Sequence, residues 1–138
     1  MTLNYDHKYP TCEETHVTLR IYSEKLNPLE ITRILKIQPT STQNIGDKAS
    51  KTRNVKINGW FLESENNISS NDARAHIDFI TEKLLKQKPN FQQLKNEEVN
   101  IDICCYWQSK DGHGGPTLLP KQLKDLSEVD VEFWFDFY

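Results

Sequence analysis

Residues 99–108, Val99-Asn100-Ile101-Asp102-Ile103-Cys104-Cys105-Tyr106-Trp107-Gln108, alternate between apolar and polar side chains more regularly than any other stretch of the chain. Side chains two residues apart share one face of a β-strand, so the pattern predicts a strand over Val99–Gln108 with one buried and one exposed face. Strands of a doubly wound parallel sheet are apolar on both faces. The pattern therefore favours a largely antiparallel sheet with helices on one side.

Two other segments show the same period of two, and a further strand is predicted around Trp60-Phe61-Leu62, which follows Gly59. Three segments show the spacing of an amphipathic helix. The predicted strands are Thr15–Tyr22, Val55–Glu63, Val99–Gln108 and Val129–Tyr138. The predicted helices cover residues 27–37, 72–86 and 120–126. The order β-α-β-α-β-α-β indicates an α+β fold with a mostly antiparallel sheet and helices packed on one face. A strand, a proline-initiated helix and an aromatic strand follow each other at both ends, which suggests a pseudo-duplicated β-α-β unit.

Capping and breaking residues set the expected ends of the helices. Asn27 and Glu30 have the spacing of a capping box at the start of the first helix. Ser70 or Asn71 is expected to cap the second and longest helix, because both can accept a hydrogen bond from its first turn. Pro89 is expected to close that helix.

Length and composition predict one domain over residues 1–138. Residues 1–14 are polar and aperiodic, which predicts a loosely ordered lead-in, and the polar stretch Thr40–Asn54 predicts a mobile loop. No apolar run approaches the roughly 18 residues that span a bilayer, and Met1–Pro10 lacks the hydrophobic segment of a secretory signal. We therefore expect a cytoplasmic protein with no membrane partner.

The charge balance argues against nucleic acid as the partner. The formal net charge is −3, whereas nucleic-acid-binding domains are usually strongly basic. A local cluster, Lys48, Lys51, Arg53 and Lys56, lies near Trp60 in the sequence and permits weak contact with nucleic acid. We interpret this cluster as a solvated loop.

Residues that bear on metal or catalytic chemistry are scattered. Cys12, Cys104 and Cys105 are odd in number and two are adjacent, which indicates free thiols rather than a disulfide framework. No histidine pair has metal-ligand spacing, and no nucleophile or paired-carboxylate motif occurs. Asp72 and His76 share a helix face, where a local hydrogen bond or packing is expected. We predict no cofactor, no metal site, no catalytic residues and a non-enzymatic function.

Several motifs resemble a bacterial family known as domain of unknown function 4279. They include Val17-Thr18-Leu19-Arg20-Ile21-Tyr22-Ser23, the spaced pattern from Pro28 to Thr40, Gly59-Trp60-Phe61-Leu62-x-Ser64, His76, Cys105-x-Trp107, Gly114-Gly115-Pro116 and Phe133 to Tyr138. The resemblance covers residues 15–138 and implies a fold but no activity. Members of small, fast-varying bacterial families of this kind are often immunity proteins that neutralise toxins, and this association makes that role a hypothesis for the chain.

The polar faces of the strands carry the candidate binding residues. If helices cover only one side of the sheet, the other side displays aromatic rings among carboxylates, a composition that suits an interaction surface. The predicted partner-binding residues are Arg20, Tyr22, Asp102, Tyr106, Glu132, Trp134 and Asp136. Such a surface could dock on the basic cleft of a nuclease.

The loop Asp111–Pro116 is the basis of an alternative hypothesis. Backbone amides of Gly112, Gly114 and Gly115 could cradle an anion, and His113 could act on a bound ligand. The same glycines suit a simple turn between strand and helix.

Three hypotheses of function follow from these patterns. The first is a non-enzymatic protein-binding module, in its specific form a cytoplasmic immunity protein that neutralises a bacterial toxin. The second is a small-molecule or nucleotide-binding domain that uses the loop around His113. The third is self-association through the open side of the sheet.

Overall fold

The computed structural model describes residues 4–138, which form a five-stranded sheet and four helices. The strands are β1 (Cys12–Ser23), β2 (Ser41–Gln43), β3 (Asn58–Glu63), β4 (Asn100–Ser109) and β5 (Glu132–Phe137). The helices are α1 (Pro28–Leu35), α2 (Ala73–Lys86), α3 (Lys88–Lys95) and α4 (Pro120–Val129). The α+β class and the mostly antiparallel sheet are confirmed.

The sheet has the order β2-β3-β1-β4-β5, so the long strand β1 lies at its centre. Antiparallel pairing joins β2 to β3, β3 to β1 and β1 to β4, and only β4 and β5 are parallel. The register places Arg20 opposite Asp102 and His16 opposite Tyr106. This register brings the polar residues of four strands onto one face.

The opposite face of the sheet packs against the helices and forms the core. Three residues of β1 are fully buried, namely Val17, Leu19 and Ile21. Three residues of β4 are at most 1% exposed, namely Ile103, Cys105 and Trp107. They belong to the same buried cluster as apolar residues from all four helices. Helices on one side of the sheet are therefore confirmed, and burial of this apolar stripe is the main stabilising term of the fold.

Two caps show how the sequence starts its helices. At α1, Asn27 and Glu30 form the expected capping box, with the Glu30 amide donating to Asn27 Oδ1 at 2.9 Å. At α2 the cap is Asp72, and not Ser70 or Asn71. The Arg74 amide donates to Asp72 Oδ1 at 3.0 Å. Asp72 suits the N-cap position because its carboxylate adds a negative charge to the hydrogen bond at the positive end of the helix.

Two elements were not expected from the sequence. Pro89 does not close the long helix but stands in the first turn of α3, a place where its missing N–H costs nothing. The segment Thr40–Asn54 contributes β2 to the sheet and then turns back on itself. There the Gly46 amide donates to the Val55 carbonyl at 2.9 Å.

The described part of residues 1–14 is anchored rather than loosely ordered; residues 1–3 lie outside the described residues. Tyr5 donates from its hydroxyl to Asp78 Oδ2 at 2.5 Å, and the Asp6 amide donates to Asp72 Oδ2 at 2.8 Å. Tyr9 donates to the Gly115 carbonyl at 2.7 Å. Long-range hydrogen bonds of this kind leave no trace in local periodicity.

The two β-α-β units share their element order but not their strand arrangement. In the second unit, β4-α4-β5, the strands are parallel neighbours. In the first unit the strand parallel in direction to β1 is β2, and β3 lies between them. The two units are similar only in that a helix connects two parallel strands. In the first unit β3 separates these two strands in the sheet.

The carboxyl-terminal helix is longer than expected, and the last strand is shorter. Val129 ends α4, where it is 2% exposed, instead of starting a strand. Asp130 adopts a left-handed conformation with φ 56° at the end of that helix, so it does not belong to the sheet.

Candidate functional site: the open face of the sheet

The face of the sheet turned away from the helices is the candidate site, and it is called the open face below. It is formed by alternate residues of β1, β3, β4 and β5 that are paired side by side in the register. Its residues are Glu14, His16, Thr18, Arg20, Tyr22, Phe61, Glu63, Asp102, Cys104, Tyr106, Gln108, Glu132, Trp134 and Asp136. All seven residues predicted to bind a partner lie on it.

Asp102 stands at the centre of the open face and holds two neighbours. Arg20 donates from Nε to Asp102 Oδ1 at 2.7 Å and from Nη2 to Oδ2 at 2.5 Å. Trp134 donates from its indole Nε1 to the same Oδ2 at 3.2 Å. Three strands are thereby tied together by one carboxylate, and the indole is fixed in position.

The guanidinium of Arg20 also contacts aromatic rings on both sides. Its central carbon lies 5.5 Å from the ring centre of Trp134 and 5.8 Å from that of Tyr22, distances typical of cation–π contacts. Hydrogen bonds to Asp102 raise the pKa of Arg20 above its ordinary value. The cation is therefore permanent, and its charge is neutralised within the face.

Aromatic rings extend from this centre in two directions. His16 and Tyr106 stack with ring centres 4.8 Å apart and planes at 11°, and Tyr138 lies 5.2 Å beyond Tyr106. On the other side, Tyr22 meets Phe61 edge to face at 5.5 Å. Rings held by one another lose little conformational freedom when a partner binds, which favours their use as binding anchors.

The open face is strongly acidic. It carries five carboxylates and a single guanidinium, and that guanidinium is paired with Asp102. Glu14, Glu63, Glu132 and Asp136 form no ion pair with any residue of the described chain. Four uncompensated carboxylates around an aromatic centre create a negative potential that attracts cationic groups.

The glycine-rich loop contributes no residue to the open face, and hydrogen bonds from side chains hold two of its backbone carbonyls. Gly112 and Gly114 both have φ of 85°, which suits the turn expected from their sequence. Ser109 donates to the His113 carbonyl at 2.7 Å, and a Cβ on Gly114 would lie 2.6 Å from Thr11. His113 and its neighbours Gly112 and Gly114 are exposed, and Gly115 is half-buried.

His76 is buried and locked by two hydrogen bonds. Its Nε2 donates to the Ser70 carbonyl at 2.8 Å, so in the neutral ring Nδ1 accepts from Ser64 Oγ at 2.7 Å. Burial lowers the pKa of His76 below its ordinary value. Two outcomes were expected for Asp72 and His76, a local hydrogen bond or packing. No hydrogen bond joins them, and the burial of His76 shows that packing is the outcome. Ser64 is fully buried and already accepts from the Val17 amide, which makes this pair structural rather than nucleophilic.

A polar cavity of about 400 Å³ lies beside His76, between the start of β1 and residues 65–71. It is lined by serine and asparagine side chains and by His16 and Glu65. Across residues 4–138, no three His, Cys, Asp or Glu side chains are placed to hold a metal ion.

A family model matches residues 13–138, nearly the whole chain, and is described as Domain of unknown function (DUF4279). The chain belongs to this family. No curated protein and no solved structure is significantly similar to it. Membership of DUF4279 confirms the resemblance drawn from the strand and helix motifs. It carries no activity with it.

None of the helices within residues 4–138 combines the length and the apolar character that crossing a bilayer requires.

The cysteines of this DUF4279 chain lie in two environments. Cys12 and Cys105 are fully buried, and burial raises the pKa of their thiols to about 11 and about 12. Cys104 lies on the open face beside Arg20, and its pKa is also raised, mainly by burial. All three are free thiols, as predicted.

Seven residues of the open face were not among the predicted binding residues, and His16, Phe61 and Glu63 are three of them. Each lies in a predicted strand, but only the pairing of β1 with β3 and β4 shows that they join the others. Trp60, expected beside the basic cluster, instead faces the core and donates to Thr32 Oγ1 at 3.0 Å.

Proposed function

We propose that this protein is a non-enzymatic protein-binding module whose open face docks on a basic surface of its partner. In its specific form, it is a cytoplasmic immunity protein that neutralises a bacterial toxin. The observation that supports this function most concerns residues 4–138, where four carboxylates without an ion pair surround a rigid aromatic centre on a face that none of the described helices covers.

The aromatic centre supplies the part of an interface that buries apolar area. Protein interfaces are enriched in Trp, Tyr and Arg at their centres and are polar at their rims. On the open face Arg20 lies on the central strand β1 with the rings of Trp134 and Tyr22 against it. Glu14 lies at the far end of β1, while Glu132 and Asp136 lie on the edge strand β5. The arrangement matches that anatomy.

The carboxylates orient the partner and raise the rate at which the two proteins associate. Opposite charge on two proteins steers their encounter and raises the association rate, most strongly at low salt. The active-site cleft of a toxin that cleaves nucleic acid is basic because it must bind phosphates. An acidic face that fills such a cleft would exclude the nucleic acid without any chemistry of its own.

The test is co-expression with the protein encoded beside its gene. We expect the wild-type chain to protect cells against that protein and the double variant Glu132→Lys/Asp136→Lys to lose protection. The matched control, Glu24→Lys/Glu97→Lys, makes the same charge change at exposed carboxylates outside the open face and should protect fully. Equal protection by both double variants, or no protection by the wild type, contradicts the proposal.

A further inference from the structure

The outer edge of β5 presents unpaired backbone groups. Tyr138 donates to the Trp107 carbonyl at 3.1 Å and accepts from the Ser109 amide at 2.8 Å, so its backbone groups point toward β4. In a parallel ladder this direction alternates along the strand. Phe133, Phe135 and Phe137 therefore turn their N–H and C=O groups outward, where no other described residue bonds to them.

This edge lacks most of the features with which proteins usually protect a terminal strand. It is not short and has no lysine, proline or bulge, and its only charged side chains are Glu132 and Asp136. At the other edge of the sheet, β2 is only three residues long and polar. In contrast, β5 is six residues long, has no lysine or proline, and pairs with β4 in an unbroken register. It is an open template for another strand.

We propose that the edge of β5 takes up an extended segment of the protein partner as a sixth, antiparallel strand. The inference rests on the proposed function and adds the chemistry of the segment that binds. Main-chain hydrogen bonds to the outward groups of β5 would supply affinity, and alternate side chains would supply specificity.

The two faces of β5 define that segment. On the open face, Glu132 and Asp136 flank Trp134 and carry unpaired carboxylates, so the residues opposite them are lysine or arginine. On the helix side, Phe135 lies between Phe133 and Phe137 with ring centres 5.1 and 5.2 Å away, and Phe137 is 57% exposed. The residues opposite these rings are apolar. The occupant is a strand that alternates basic and apolar residues.

The same charges disfavour a second copy of this chain. A two-fold antiparallel pairing centred on Trp134 places Glu132 opposite Asp136 of the other copy, and like charges directly opposite destabilise a sheet. If the register shifts by two residues in one direction, Asp136 of each copy becomes a diagonal neighbour of Asp136 of the other. A shift in the opposite direction does the same with Glu132, so like charges stay close in either case. A basic segment removes this repulsion.

The test uses a blocked synthetic peptide of seven residues that alternates lysine and valine. In antiparallel pairing, the valines lie opposite the phenylalanines and their N–H groups face β5. Two further peptides carry N-methyl groups, one on its three valines and the other on three of its lysines. We expect fluorescence anisotropy to show that the unmodified and lysine-methylated peptides bind, and that the valine-methylated peptide loses about tenfold or more in affinity.

A pair of protein variants tests the outward backbone groups of β5 itself. Phe137→Pro removes one outward N–H and the ring, whereas Phe137→Ala removes only the ring. The proline variant should bind the peptide about fivefold more weakly than the alanine variant. The two variants share the loss of the ring, so the difference between them reports the backbone group.

The outcomes separate this inference from the proposed function. If all three peptides bind equally, binding is purely electrostatic and the strand addition is wrong, while the acidic face as a docking surface stands. If the unmodified peptide does not bind, or if light scattering shows a dimer that Phe137→Pro dissociates, the inference is overturned. Failure of the proposed function appears separately, as full protection of cells by Glu132→Lys/Asp136→Lys.

Discussion

Arg20 and Asp102 lie directly opposite each other on two antiparallel strands and share two parallel hydrogen bonds of 2.7 and 2.5 Å. The side chain of Arg20 is 32% exposed and that of Asp102 18% exposed. Two parallel hydrogen bonds fix the orientation of the guanidinium relative to the carboxylate as well as their separation, whereas a simple ion pair fixes only the separation. Because the same carboxylate holds Trp134, the pair sets the shape of the open face.

Arg20→Ala should lower the free energy of unfolding by about 1–2 kcal/mol, because it removes charge-assisted hydrogen bonds on a partly screened surface. In a double-mutant cycle with Asp102→Asn, the two effects should fall short of additivity by about 1 kcal/mol. Denaturation by urea measures all four proteins. Additive effects would show that the pair does not stabilise the sheet.

Arg20→Lys is the matched variant that keeps the charge. Lysine cannot form the planar two-bond pair or stack on Trp134 and Tyr22, so it should recover less than half of the stability that Arg20→Ala loses. Full recovery by lysine would mean that charge alone explains the arrangement.

The sequence predicts the strands of this fold well because each buries one face. Period-two alternation in β1, β4 and β5 is a direct result of helices covering only one side. The two missed elements carry no such signal. β2 is three polar residues stabilised by its pairing with Phe61 and Trp60, and α3 begins at a proline that also fits a helix end. Local patterns do not distinguish these cases.

The stability of the protein should decrease as the pH falls below about 6.5, the ordinary pKa of histidine. Burial holds the pKa of His76 lower in the folded state, so below pH 6.5 the unfolded chain binds a proton that the folded chain does not. His16 and Asp72 are the titratable neighbours of His76 that modify this effect. In His76→Gln the loss of stability between pH 6.5 and the lower folded-state value should disappear.

His113→Gln is the control for this experiment, because it removes an exposed histidine of the glycine-rich loop. Urea denaturation at a series of pH values should show the wild-type dependence in His113→Gln. A wild-type dependence in His76→Gln would mean that another group is responsible.

Asp78 is a buried carboxylate that joins three parts of the chain. It accepts from Tyr5 and from Gln122 Nε2 at 3.0 Å, and it pairs with Lys121 at 3.1 Å. Asp78→Ala should lower the free energy of unfolding by about 3 kcal/mol, because it leaves the buried amide of Gln122 and the hydroxyl of the half-buried Tyr5 without their acceptor. Glu82→Ala removes an exposed carboxylate from the same Lys121 and should cost less than about 1 kcal/mol. Equal effects in thermal or urea unfolding would contradict this account.

The thiols of Cys12 and Cys105 should not react with iodoacetamide at neutral pH in the folded protein. Burial raises both pKa values to about 11 or above, and only the thiolate is a nucleophile. Mass spectrometry should find both cysteines unmodified in the native state and alkylated in urea. Rapid native alkylation of either one would show that its strand opens far more readily than the core packing implies.

The sequence predicts which face of its strand each residue lies on, but it does not predict how the four strands of the open face are arranged side by side. Alternation assigns Asp102 and Trp134 to polar faces, but not to a common site. Their contact depends on the order β3-β1-β4-β5, which is set by long-range pairing. The anchoring of Tyr5 and Tyr9 is equally non-local. Residue types therefore indicated which side chains could bind, and the topology showed that they lie together.

The most direct test of the central claim is the salt dependence of binding to the protein encoded beside this gene, measured by calorimetry. At roughly 0.15 M salt, Glu132→Lys/Asp136→Lys should bind on the order of 100-fold more weakly than the wild type, and Glu24→Lys/Glu97→Lys should bind normally. The wild-type affinity should fall as salt rises. Equal affinity of the two double variants, or an affinity that salt does not change, would contradict docking through the acidic open face.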